Sequence, residues 1–164
     1  MLDKDDLAGI AKVGLLPSTR KNNSANGRYF FDSKRAEICI YSYPETLLHR
    51  FRTKGKLPQL RQWYSCELSY GMQLELDGDK LHCKWNSDDL RRFISRHVLL
   101  HEIGHHVSQM KRVRKGLQPD IGSALSEKLA EHYALQMTEI LFGRGTLSAN
   151  LHGKVSNGSE LIHH

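Results

Sequence analysis

The clearest pattern in the chain begins at Asn86. Leu90, Phe93, Ile94, His97, Val98, His101, His105 and Ser108 recur at steps of three and four, so they share one helix face. Asn86-Ser87-Asp88-Asp89 is a run of N-cap residues, and the spacing predicts a helix from Asp88 to Val113. Gly116 to Ser123 (GLQPDIGS) reads as a loop. Asp120 or Ser123 caps a second helix from Ala124 to Phe142, which Gly143 stops. Ahead of these helices the period changes to two. Met72–Leu76 (MQLEL) and Leu81–Trp85 (LHCKW) alternate, and Asp77-Gly78 between them signals a hairpin. Glu37–Tyr41 (EICIY) reads as a strand closed by Pro44. Asp5–Leu16 is expected to be a short helix with Leu7, Ile10, Ala11 and Val13 on one side, ended by Pro17. Ser18 to Gly27 is polar and without period, an exposed loop. Residues 1–28 and 144–164 are expected to be the loosest parts of one domain spanning 1–164.

Composition narrows the class. A chain of 164 residues with 39% hydrophobic and 26% charged positions can bury a core and suits a single domain. It has no apolar run long enough for a membrane span. The N-terminus opens with acids, and Lys12 breaks its apolar stretch, which does not match a secretory signal. Three widely spaced cysteines (Cys39, Cys66, Cys83) without a CxxC pair point to ordinary buried thiols in a reducing cytoplasm. The net charge of +6 favours acidic partners.

Ten histidines stand out, and two of them carry chemistry. His101-Glu102-Ile103-Gly104-His105 is an HExxH motif on the predicted helix. Positions i and i+4 project from one face, so His101 and His105 can reach one zinc ion. Glu102 sits one step round, where a base must stand to take a proton from the water that the ion activates. The flanking residues Leu99, Leu100, Ile103, Gly104 and Val107 are uncharged, as a buried motif requires. A third ligand is needed. The metzincin pattern would put a histidine at 111, where the chain has Lys111. The second helix offers Glu127, with Glu131 and His132 as fallbacks. Glu131 lies one turn past Glu127, suited to accept the outer N–H of a ligand histidine.

HEIGH followed by a helix with E-x-x-A-E-x-Y-A resembles the gluzincin class of zinc metallopeptidases, and most closely the ImmA/IrrE-type intracellular peptidases. The resemblance covers roughly residues 70–142. It implies His101, His105 and Glu127 as ligands of one Zn2+ and Glu102 as the catalytic base. Glu131 stands where that family has Asn and other gluzincins have Asp, and Tyr133 replaces Phe. The implied fold is α+β and zincin-like: a small antiparallel sheet packed on the HExxH helix and on a second helix bearing the Glu ligand. The implied activity is hydrolysis of a peptide bond in a protein, in that family often a regulatory one. The implied setting is the cytoplasm, away from membranes.

The oxyanion donor is open among His97, His106, His132 and Tyr133. The hairpin at 72–85 is expected to present an edge strand for an extended peptide. Two other classes fit the same residues: a catalytically silent zincin-fold binding module, or a basic nucleic-acid-binding protein. The second would use Arg50, Arg52, Lys54 and Lys56, then Arg91, Arg92 and Arg96, then Lys111, Arg112, Arg114 and Lys115. No pattern sets an oligomeric state.

Overall fold

The computed structural model describes residues 2–17, 26–32, 35–43, 46–50, 57–77 and 80–143. The architecture is α+β, built from two three-stranded sheets and a helical pair. Chain order begins with α1 (Lys4–Leu7), β1 (Ile10–Leu16), β2 (Gly27–Asp32) and β3 (Arg35–Tyr41). It continues with β4 (Thr46–Arg50), α2 (Leu57–Trp63), α3 (Ser65–Ser69), β5 (Gln73–Asp77) and β6 (Lys80–Lys84). Next comes one long rod, in which α4 (Ser87–Phe93), a π turn (Ile94–Val98) and α5 (Leu99–Arg114) run on without a break. The last described element is α6 (Ala124–Phe142).

The first sheet has the order β1-β3-β2, with β1 parallel and β2 antiparallel to β3. The sheet packed on α5 is therefore mixed, not antiparallel as expected. The expected helix over Asp5–Leu16 is also corrected. Helix α1 covers only Lys4–Leu7, and Gly9, at φ +94°, turns the chain into β1. The propensity of Ile10–Leu16 is overridden by pairing with β3, in the register Val13↔Ile38 and Leu15↔Ile40. Residues 2–17 thus hold regular structure. The second sheet has the order β4-β6-β5 and is antiparallel throughout. The expected hairpin is present, with Asp77 opposite Lys80. Its Gly78, most of the loop at 18–27, the residues after Arg144 and the basic positions Arg52, Lys54 and Lys56 lie outside the described residues.

The core runs from Tyr29, Ala36 and Ile38 to Leu81, Cys83 and Trp85, with Phe93 at its centre. Trp85 stacks on Phe93 at 5.1 Å, and Tyr70 meets its edge at 5.6 Å. Burying Phe93 is worth roughly 1.5–3 kcal/mol by area, and it anchors the rod that carries the HExxH motif. None of the described helices is long and apolar enough to cross a membrane.

Candidate metal centre

The rod that carries the motif starts at α4, as the sequence predicts. Asn86 caps the rod by accepting from the amides of Asp88 and Asp89. Helix α6 begins where Ser123 accepts from the Ser126 amide at 3.1 Å. Ser123 is thus the cap, and Asp120 holds it by accepting from its hydroxyl at 2.9 Å. Gln109, fully buried on α5, clasps the same loop twice: its amide donates to the Asp120 carbonyl and its oxygen accepts from the Asp120 amide, both at 2.7 Å. The two helices also approach closely at Gly104. A Cβ there would lie 2.8 Å from the Ala130 backbone and 3.0 Å from Tyr133 Cβ. The glycine of HEIGH and Ala130 together set the spacing that lets Glu127 reach α5.

His101, His105 and Glu127 come together. His101 Nε2 lies 3.3 Å from Glu127 Oε2, and His105 Nε2 lies 3.5 Å from Glu127 Oε1. The imidazoles meet edge to face at 4.9 Å. Their outer nitrogens are engaged as well. His101 Nδ1 donates to Glu131 Oε2 at 3.3 Å, and His105 Nδ1 pairs with Ser126 Oγ at 3.0 Å. An ionised carboxylate only accepts, so without an ion a protonated His101 donates from both ring nitrogens, Nδ1 to Glu131 and Nε2 to Glu127, each at 3.3 Å. A divalent ion would take the place of the Nε2 proton and leave Nδ1–H on Glu131. Ligands bonded at 2.0–2.1 Å with tetrahedral angles are spaced roughly 3.3–3.4 Å apart, close to what these atoms show. The residues fit a divalent ion.

The electrostatics agree with this geometry. Burial alone would lower His101, but the Glu131 hydrogen bond and the charges of Glu102, Glu131 and Glu127 raise it overall. Burial, with His101 beside it, lowers His105. The His101 hydrogen bond holds Glu131 below the usual carboxylate range, against burial. Glu102 is buried in the same wall, and that burial pushes its carboxyl up to about 7.

These residues line a cavity of about 780 Å³ whose other wall is β2. Here the sequence reading is corrected. Among the described residues, the strand beside the cavity is β2, an edge of its sheet, and the hairpin does not line it. Gly27 of β2 lies against Glu102, and a Cβ there would sit 2.5 Å from Glu102 Oε1 and 2.8 Å from its Cγ. Arg28 brings a cation to the cavity.

Of the four named oxyanion donors, only His97 lines this cavity. Tyr133 donates to Asp6 at 2.8 Å, and His132 lines a separate groove with Lys111, Arg112 and Lys115. His106 is engaged by Tyr29 and Ala8. Ser126, Gly27 and Arg28 were not found from sequence. Ser126 precedes the candidate ligand on a helix whose other serine, Ser123, is the recognisable cap, and β2 adjoins a polar stretch that masks its alternation. No family model matches this chain, and no curated protein or solved structure does either.

Proposed function

We propose that the protein is a zinc-dependent peptidase with a zincin-like fold, similar to the ImmA/IrrE-type enzymes. His101, His105 and Glu127 would hold the ion, and Glu102 serves as the base. The observation that carries this reading is the pair of Nε2 atoms facing the two oxygens of Glu127 at 3.3 and 3.5 Å, with both outer nitrogens engaged. Bound zinc supplies Lewis acidity toward a carbonyl and eases the ionisation of a water. Glu102 accepts the proton of the attacking water and returns it to the leaving amine. Gly27 presses against Glu102 and limits where its carboxylate can sit. Arg28 offers positive charge to the developing oxyanion. Strand β2, an edge strand among the described residues, offers that edge to an extended peptide, which receives main-chain hydrogen bonds there. The substrate is therefore a protein segment that can extend, and the net charge of +6 favours an acidic one. The free thiols Cys39, Cys66 and Cys83 support a cytoplasmic setting.

The test uses a quenched-fluorescent peptide library with elemental analysis of zinc. Glu102→Gln should keep its zinc and lose cleavage by about 10²–10⁴-fold. Glu127→Ala should lose about one zinc per chain, and cleavage with it. Cleavage that survives in Glu102→Gln would sink the base assignment. Equal zinc in Glu127→Ala and the wild type would sink the ligand set.

A further inference from the structure

A second cluster lies one turn back along the rod. Cys66 of α3, His97 of the π turn and Glu131 of α6 each bring a ligand atom within 4.8 Å of the other two. Three separate elements converge on it, and each is fixed independently. Ser69 Oγ donates to the Cys66 carbonyl at 2.6 Å within α3. Thr138 of α6 donates to the Arg96 carbonyl at 2.7 Å, tying α6 to the π turn. Single π turns inside α-helices concentrate at functional sites, and here the π turn carries His97.

The second observation is an orphaned nitrogen. His97 is 8% exposed and stacks on Phe93 at 5.5 Å. Its Nε2 lies 3.4 Å from Glu131 Oε2, while its buried Nδ1 has no hydrogen-bond partner among the described residues. A buried imidazole nitrogen without a partner costs about 1–3 kcal/mol. Thiol, imidazole and carboxylate together match the donor preference of zinc and cobalt rather than of magnesium or calcium. Half-buried Glu67, next to Cys66, lies within electrostatic reach of both Cys66 and Glu131 and adds negative potential.

We infer that Cys66, His97 and Glu131 form a second divalent-cation site, selective for a thiophilic ion and adjacent to the His101 centre. Glu131 belongs to both, because the oxygen that faces His97 also accepts from His101. The site stands on its own residues and does not require an ion at His101.

Cobalt(II) titrated into the metal-free full chain tests it, read as ions per chain and as thiolate-to-cobalt charge-transfer absorption. The wild type should take up about two ions and show the thiolate band. Cys66→Ser should lose one ion and the band. The Cys39→Ser/Cys83→Ala variant leaves Cys66 as the one thiol and should keep the band, which covers the case in which Cys66→Ser fails to fold. The His101→Ala/His105→Ala variant should lose one ion and keep the band. If it instead matches the wild type at one ion with the band intact, the peptidase reading fails and this site stands. The inference is overturned by no thiolate band in the wild type, by a band that persists in Cys66→Ser, or by a band that vanishes with His101 and His105.

Discussion

His105 and His106 are neighbours in sequence and both buried, about 100° apart around α5, and Tyr29 stands beside both rings, yet their nitrogens meet different partners. His105 looks into the cavity, with Ser126 at one nitrogen and the carboxylate of Glu127 near the other. His106 is saturated. Its Nε2 pairs with the Ala8 carbonyl at 2.9 Å, which only accepts, so Nε2 carries the proton. Its Nδ1 must then accept from the Tyr29 hydroxyl at 3.0 Å. On the cavity side two Nε2 atoms share the one carboxylate of Glu127, and at His106 every donor has its own acceptor. Identical side chains thus line the cavity at one position and tie α5 to its neighbours at the next. Burial alone does not separate them; the partners do.

Exchanging the perturbation between the two histidines breaks the comparison most strongly. His105→Ala should abolish zinc retention at the His101 centre, and urea midpoints are compared in the metal-free proteins so that the lost ion does not enter them. His106→Ala should keep the zinc and destabilise the fold. It leaves the Tyr29 hydroxyl and the Ala8 carbonyl without their partner, at about 1–3 kcal/mol each. Zinc content and urea unfolding, measured side by side, decide it. Loss of zinc in His106→Ala, with the fold intact, would show that the two roles are not separable.

Gly27→Ala is the next largest effect and acts on the cavity side alone. The added methyl would displace the Glu102 carboxylate by close contact with Oε1 and Cγ. A misplacement of about 1 Å in a reacting group costs on the order of 10²-fold in rate. Zinc content should stay at the wild-type level, because the three atoms nearest to the added methyl all belong to Glu102. Wild-type cleavage rates in Gly27→Ala would remove the positioning role.

The helical half of this contrast was legible in sequence and the strand half was not. The HExxH helix, its Asn86 cap, the loop and the start of α6 at Ala124 all follow from local signals: period, cap chemistry and glycine stops. The approach of Glu127 depends on Gly104 and Ala130 being small, which the sequence displays but does not link. Strand β1 was hidden because Ile10–Leu16 also reads as one side of a helix, and only its parallel partner β3, some 25 residues further on, decides the matter. Strand β2 was hidden because Tyr29, Phe30 and Phe31 are consecutive aromatics, so the burial alternation of the strand has no counterpart in residue type. The cavity wall and the anchor for His106 both come from that strand. Tyr29 is the link that sequence could not supply, since its partner lies 77 positions away.

Tyr29→Phe gives a smaller, sharper version of the same contrast. It removes one hydroxyl and leaves His106 Nδ1 without its donor, at about 1 kcal/mol. Urea unfolding should detect this loss with zinc binding unchanged. A stability equal to wild type would mean that the hydroxyl contributes no net hydrogen-bond energy in the fold.

The smallest effect is a slope against pH. Burial lowers His106, opposed by the Ala8 hydrogen bond and Asp6, and assisted by Arg114. The folded protein therefore holds fewer protons on this residue than the unfolded chain. Its contribution is present above the ordinary value of 6.5 and is lost as pH falls through the lower folded value. His106→Gln keeps one donor and one acceptor and removes the titration. Wild-type stability should then fall more steeply than that of His106→Gln between about pH 7 and pH 5, by at most about 1.4 kcal/mol per pH unit. His101, raised by its carboxylates, contributes the opposite sign, but it is common to both proteins and cancels in the difference. Parallel slopes would mean that His106 takes up its proton equally in the folded and unfolded chains, and the buried, saturated face described for it would have to open to solvent.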